Sequence, residues 1–187
     1  MIKRALDLLL ASSALVVLSP VFLTVAVLVK LTSPGPAIYW SDRVGRGNRI
    51  FRMPKFRSMR VDTPSVATHL LASPEHHLTP IGSFLRRASL DELPQLWSIL
   101  KGDMSIVGPR PALFNQHDLI ALRTERGIHV LRPGLTGWAQ VNGRDELPIP
   151  VKVEFDTWYL QHQSLWLDAR IVLRTLGKVL GGAGVAH

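Results

Sequence analysis

Between Leu8 and Val29 the chain runs 22 residues without a charge, LLLASSALVVLSPVFLTVAVLV, and interrupts that run near its centre with Ser19-Pro20. As one straight helix the run would be about 33 Å long, enough to cross a hydrocarbon core of roughly 30 Å. Pro20 opposes straightness. It has no N–H for the carbonyl of Val16, and its ring crowds that turn, so a sharp bend is expected there. Ser19 can return its hydroxyl to a carbonyl freed by the break. Basic residues stand on both flanks, Lys3 and Arg4 before the run and Lys30, Arg43, Arg46 and Arg49 after it. A spanning helix usually carries its basic excess on one side. Two readings stand: a kinked span, and a bent helix that enters the bilayer and returns, its backbone paired except at one Ser-Pro break. The re-entrant reading accommodates the charge on both flanks. A cleaved signal peptide does not fit, because the apolar run is too long and no small-x-small site follows it.

The remainder of the 187 residues suffices for one domain with a packed core. Lys and Arg number 22 against 14 Asp and Glu, a formal net charge of +8, which points to polyanionic partners: nucleic acid, an anionic lipid surface or phosphorylated substrates. The absence of cysteine excludes disulfides, thiolate zinc sites and cysteine nucleophiles. TSPGP (Thr32–Pro36) ends the apolar segment with turn chemistry. AIYWSDRV and NRIFRMPKF, joined by Gly45-Arg46-Gly47, read as a short β-hairpin. Those glycines are not a phosphate loop, since no P-loop lysine follows and no helix opens there.

Residues 61–80 read as a surface loop. His69, His76 and His77 within it lack the i, i+4 spacing with a carboxylate that a metal helix needs. Helices are expected near Ile81–Ala88, near Pro94–Leu100 and over Leu113–Arg126, the last amphipathic and charged on one side. Residues 127–150, rich in Gly and Pro, suggest an ordered functional loop or short strands. The tail from Val151 to Leu180, with Trp158, Tyr159, Trp166 and a basic stripe of Arg170, Arg174 and Lys178, reads as helices lying on a membrane surface or on the core.

The chemistry concentrates in SLDELPQLWSILKGDMSIVGPRP, Ser89–Pro111. One reading is structural: Ser89 followed three residues later by Glu92 has the form of a capping box, and acids suit the positive end of a helix. Pro94 complicates it, because within a helix capped at Ser89 it would remove a backbone bond; a distorted or later start is more natural. The other reading is phosphoryl chemistry. Asp91 and Glu92 offer hard oxygens to Mg²⁺, which takes one or two acids and completes its shell with water and phosphate. A carboxylate can also act as a nucleophile. Arginines, Arg86 one turn earlier and Arg110 held stiffly in Gly108-Pro109-Arg110-Pro111, supply forks for phosphoryl oxygens.

Four stretches in order carry a resemblance. Lys55-Phe56-Arg57-Ser58-Met59, then SLDELPQL from Ser89, then GDMSIVGPRP from Gly102, then RPGLTGWAQVNGR from Arg132 to Arg144 resemble the successive motifs of the bacterial sugar transferases known as monotopic phosphoglycosyl transferases. The resemblance runs from the N-terminal segment nearly to the end, with no departure at the key positions. Its length is that of the minimal form of the family. It implies transfer of a sugar 1-phosphate from a UDP-sugar to polyprenyl phosphate, with release of UMP, through a covalent phosphosugar-aspartate, using Mg²⁺. Ping-pong kinetics follow from such an intermediate.

Carried onto this chain, the resemblance makes Asp91 the nucleophile and Glu92 the magnesium ligand, with Asp91 beside the ion. Arg86 and Arg110 position phosphates. Lys55, Arg57, Gly108, Pro109, Pro111, Gly137, Gln140 and Arg144 are candidates for holding the nucleotide or diphosphate. Lys3, Arg4, Ser19 and Pro20 belong to the membrane anchor. The implied architecture is α+β and mostly helical: a re-entrant helix over residues 1–33 broken at Ser19-Pro20, then a catalytic domain over residues 34–187. That domain holds a small β-hairpin and amphipathic interfacial helices around a site on the cytoplasmic face of the bacterial inner membrane. Expected partners are the donor, the lipid acceptor and membrane lipids, with a second copy of the chain as a further candidate and no nucleic acid. Two rivals remain: a membrane-tethered glycosyltransferase that releases UDP, and a non-enzymatic basic protein that binds polyanions.

Overall fold

A computed structural model describes residues 2–64, 66, 71, 73–143 and 147–180. The apolar run forms two helices, α1 (Ile2–Val17) and α2 (Ser19–Thr32), bent by 63° at the predicted break. The cause is local. Pro20 sits in the first turn of α2, where a missing N–H costs least, and the Ser19 hydroxyl donates to the Val16 carbonyl at 2.8 Å, replacing the bond Pro20 cannot make. Among the described residues no single helix is long and apolar enough to cross a membrane, although the bent pair meets that test together. Much of its surface is apolar and uncovered: Val16 and Val17 are 74% exposed and Leu31 78%.

The hairpin forms as read. Strand β1 (Ile38–Val44) pairs antiparallel with β2 (Ile50–Phe56), with Tyr39 opposite Lys55. Helices α3 (Gly82–Arg87) and α4 (Gln95–Lys101) match the two expected there. A second sheet pairs two parallel strands, β3 (Ser105–Val107) and β4 (Gly134–Thr136), and the latter is a short strand within residues 127–150. Between them lies α5 (His117–Glu125); beyond them come α6 (Trp138–Asn142), α7 (Ile149–Gln161) and α8 (Leu165–Leu180). The architecture is α+β and mostly helical.

Helix α5 is shorter than the expected Leu113–Arg126. Leu113 is taken by a bridge to Arg43 of β1, and its N–H donates to the Gln116 side chain at 2.8 Å, so the helix opens only after Gln116. The histidine loop holds one tight turn, Pro74–His77, with His76 exposed; His69 lies outside the described residues.

Helix α1 is mostly exposed and buries Asp7 and Ala11 against the rest of the protein. Its Ala11 is fully buried in a cluster with Phe51, Met53, Leu96, Ile99 and Met104, so α1 packs on α4 and the hairpin. Lys3 and Arg4, the basic residues before the apolar run, bond to the rest of the protein. Lys3 Nζ donates to Asp168 at 2.5 Å and to the Val107 carbonyl at 3.1 Å, and Arg4 donates to the Leu100 carbonyl at 3.1 Å. Asp7, buried, accepts from the Ser105 hydroxyl and the Ile106 N–H, both at 3.0 Å. Tyr159, buried under α8, donates to Asp168 at 2.6 Å; burial and that neighbouring carboxylate push its hydroxyl above the usual range. The tail divides by face. Leu167 and Ile171 of α8 are in the core, whereas Trp166, Leu173 and Leu176 form an exposed apolar stripe beside Arg170 and Arg174.

Candidate active site

Asp91 and Glu92 do not sit in the first turn of a helix capped by Ser89. Ser89 has φ of 55°, in the left-handed region, and makes no capping bond, which corrects the capping-box reading. A tight turn over Leu90–Glu92 carries the two acids, and α4 opens later, after Pro94, where the missing proline N–H is harmless. The Glu92 side chain, free of a capping duty, turns instead to cations. Lys55 Nζ on β2 donates to Glu92 Oε1 at 2.9 Å and stands 3.8 Å from Asp91 Oδ2. Arg110 Nη2 reaches the same Glu92 oxygen at 3.0 Å.

The electrostatics of the two acids diverge. Asp91 is 7% exposed, and burial raises its carboxyl above the usual value of 3.8; Lys55 opposes this, the Glu92 charge adds to it, and Arg86 and Arg110 oppose it more weakly. Burial would raise Glu92 as well, but Arg110 and Lys55, by charge and by hydrogen bond, hold it well below the usual carboxylate range. Two cations thus clasp Glu92 and favour its charged form, while Asp91 beside it is a buried carboxyl whose desolvation outweighs the pull of the nearby cations. Arg86 lies in the last turn of α3, within reach of Asp91 electrostatically.

The loop Gly108–Pro111 is held by backbone contacts so close that side chains are excluded. The Gly108 N–H donates to the Thr136 carbonyl and the Gly134 N–H to the Pro109 carbonyl, both at 2.9 Å. A Cβ on Gly108 would stand 2.4 Å from the Arg132 carbonyl oxygen, one on Gly134 2.1 Å from the Gly108 nitrogen, and one on Gly137 2.1 Å from the Gly108 carbonyl oxygen. Pro109 and Pro111 are buried and stiffen the same turn. The contribution of Gly108, Pro109, Pro111 and Gly137 is therefore to aim Arg110.

The other sequence candidates separate. Lys55 joins the acids. Arg57 does not: its buried guanidinium donates to the carbonyls of Pro34 and Ser33, the latter at 2.8 Å, and so closes the turn after α2. That turn needs Gly35, whose φ is 113° and whose Cβ would fall 2.6 Å from the Arg57 Nη1. Gln140 Nε2 donates to the Leu135 carbonyl at 3.2 Å, while its buried Oε1 has no protein partner. Arg144 lies outside the described residues.

One residue escaped the sequence reading. Arg123, expected on the charged side of α5, is buried; its Nε and Nη2 donate to Asp156 Oδ2 of α7 at 3.0 and 2.6 Å, and its Nη1 donates to the Arg110 carbonyl at 2.8 Å. The available signal was spacing: Leu119 and Arg123 are four apart and share the inward face of the helix.

The profile of the family described as bacterial sugar transferase matches residues 1–182. The chain belongs to the bacterial sugar transferase family. Among similar members, the UDP-glucose:undecaprenyl-phosphate glucose-1-phosphate transferase of Xanthomonas campestris pv. campestris is 46% identical over 187 residues, covering 96% of this chain and 39% of its own. The UDP-N-acetylgalactosamine-undecaprenyl-phosphate N-acetylgalactosaminephosphotransferase of Aeromonas hydrophila is 42% identical over 190 residues, covering 98% of this chain and 44% of its own. The uncharacterized sugar transferase EpsL of Bacillus subtilis is 39% identical over 186 residues and is covered over 90% of its length. The chain thus spans less than half of the two larger sugar transferases and nearly all of the smaller one.

Among the described residues no group of three or more His, Asp or Glu side chains could enclose a metal ion. The two adjacent carboxylates fit the other way of holding Mg²⁺, with one or two acids and the remaining positions left for water and substrate phosphate.

Proposed function

We propose that this sugar transferase moves a sugar 1-phosphate from a UDP-sugar to polyprenyl phosphate, with Asp91 as a covalent relay. The observation that carries the reading is the pairing of a buried carboxylate, Asp91, with a neighbour, Glu92, already neutralised by Lys55 and Arg110. The names of the similar transferases, which specify UDP-sugar donors and undecaprenyl phosphate, support the substrate classes.

In the first displacement an Asp91 oxygen attacks the phosphorus that bears the sugar. A bond forms between Asp91 and that phosphorus, the bond to the bridging oxygen breaks, and the electron pair leaves with UMP. In the second, an oxygen of polyprenyl phosphate attacks the same phosphorus and expels the Asp91 carboxylate, giving polyprenyl diphosphate sugar. Arg110, Lys55 and Arg86 balance the charge on the phosphoryl oxygens as each displacement proceeds. Mg²⁺, held by Glu92 with Asp91 adjacent, would supply Lewis-acid neutralisation of the diphosphate. Every atom that leaves one reactant is accounted for in the other, so neither substrate has to wait for its partner.

The acceptor has its phosphate at headgroup level and its chain in hydrocarbon. The bent pair α1 and α2, entering the bilayer and returning to the same side, would hold the site at that boundary. The uncovered apolar surface of the pair and the stripe on α8 support this placement.

The test incubates purified protein with Mg²⁺ and a panel of labelled UDP-sugars. The expected result is label bound covalently to the protein, UMP released, and both lost in Asp91→Asn. Release of UDP, or an unimpaired Asp91→Asn variant, refutes the proposal.

A further inference from the structure

Arg123 and Asp156 form an ion pair almost wholly removed from water, 8% and 1% exposed. Burying two charges is costly and is not in itself a source of stability; apolar residues of equal volume would serve a core as well. The geometry shows a more specific use. Asp156 Oδ2 accepts two of the Arg123 N–H groups, at 3.0 and 2.6 Å, and thereby fixes the plane of the guanidinium. The third side of that plane faces the carbonyl of Arg110, 2.8 Å away.

The backbone on either side of Arg110 is gripped too. Arg43, itself steadied by a 3.0 Å bond to the Ser41 hydroxyl, donates to the Pro111 carbonyl at 3.2 Å. On one side the loop borders a pocket open to solvent, lined there by Pro109, Arg110, Pro111, Arg123 and His129. On that side hydrogen bonds hold the loop, while the close contact of Gly108 with β4 holds the other.

We infer that the Arg123–Asp156 pair is a positioning device for the reaction, setting through the Arg110 carbonyl where the Arg110 guanidinium stands relative to Glu92 and the substrate phosphates. The inference rests on the proposed phosphosugar transfer for its kinetic consequence, and on the structure alone for its effect on the loop. Lysine in place of Arg123 keeps the charge but is a point donor, unable to hold the two-fold contact with Asp156 and the Arg110 carbonyl in one rigid plane. An Arg110 displaced by a fraction of an ångström to one ångström loses rate by roughly ten- to a hundredfold.

The experiment is a double-mutant cycle in the full chain, with Arg123→Lys, Arg110→Ala and the double variant, read by UMP release at saturating substrates and by hydrogen exchange. Asp156→Asn serves as a second entry to the same pair. The expected results are a tenfold or larger fall in kcat for Arg123→Lys, less than a twofold further fall when it is added to Arg110→Ala, and faster exchange confined to residues 108–112. A role limited to general stability would multiply the two losses and raise exchange across α5 and α7, and that outcome overturns the inference. If the wild-type protein forms no UMP, the transfer reading fails, and exchange at residues 108–112 still decides whether the pair holds the loop.

Discussion

Replacing Gly137 by alanine should cost this enzyme its rate before it costs it its fold. The backbone there is extended, with φ of −169°, so alanine meets no conformational barrier. The obstacle is contact. The new methyl would stand 2.1 Å from the Gly108 carbonyl oxygen, whereas ordinary contact begins at 3.4 Å, so the two segments must part by the difference, 1.3 Å. Gln140 Oε1, at 2.7 Å, can swing aside; the Gly108 carbonyl, tied to β4 by the Gly108 N–H, cannot move without carrying Arg110 with it. If Arg110 holds phosphate as proposed, a displacement of that size lowers kcat by roughly a hundredfold, and overpacking of this kind costs about 1–3 kcal/mol of stability.

A control separates the two effects. Gly127 has φ of 73° and open space where a Cβ would go. Alanine there is strained by about 1–2 kcal/mol yet pushes on nothing. The assay is UMP release at saturating donor and acceptor, paired with thermal unfolding of each variant. Gly137→Ala and Gly127→Ala should lose comparable stability, and only the first should lose turnover. Should Gly137→Ala keep kcat within a factor of two of wild type, the argument that backbone proximity aims Arg110 is wrong.

Two further outcomes are expected. Arg57→Met removes the donors to Ser33 and Pro34 while keeping the side-chain stem, so it should lower stability by about 2 kcal/mol and leave the KM for the donor unchanged; a many-fold rise in KM would return Arg57 to the substrate site. Glu92 is held below its usual value of 4.5, so it binds a proton more weakly folded than unfolded. The stability it contributes is present above pH 4.5 and drains away as the pH falls below it. A thermal-unfolding series from roughly pH 6 to pH 3 should therefore fall steeply for wild type and more shallowly for Glu92→Gln.

The sequence discloses features whose cause is local. A proline in an apolar run bends a helix whatever surrounds it, and the serine beside it finds the carbonyl that the proline abandons. The hairpin follows from turn residues between two alternating segments. The resemblance brings Asp91, Glu92, Lys55 and Arg110 to one place, and the structure does the same with three of them in direct contact through Glu92. Features whose cause is distant stay hidden. Strands β3 and β4 are three residues each, too short to show a period, and their partners are 29 residues apart. Ser89 has the form of a cap, but the left-handed turn that lets Asp91 and Glu92 face β2 overrides it. Arg57 and Arg123 look alike as surface bases, and only tertiary contacts show that each serves backbone carbonyls.

The inward basic residues change how the site is related to the helix pair. Had Lys3 and Arg4 pointed outward, the start of α1 would rest on Asp7 and on apolar packing. Instead Lys3, Arg4 and Asp7 fasten α1 to the Val107 carbonyl, to the end of α4 and to Ser105 and Ile106 of β3. Strand β3 runs directly into Gly108–Pro111, so only three residues, Val107, Gly108 and Pro109, lie between the Asp7 contact at Ile106 and Arg110. Those three have little play, because Gly108 is pressed against β4 and the ring of Pro109 fixes its φ. The distance from the first turns of α1 to the arginine that faces Glu92 is thus set by hydrogen bonds inside the protein. A buried carboxylate at Asp7, costly to desolvate, has its place here: its two bonds to β3 carry the position of the apolar helix to the site.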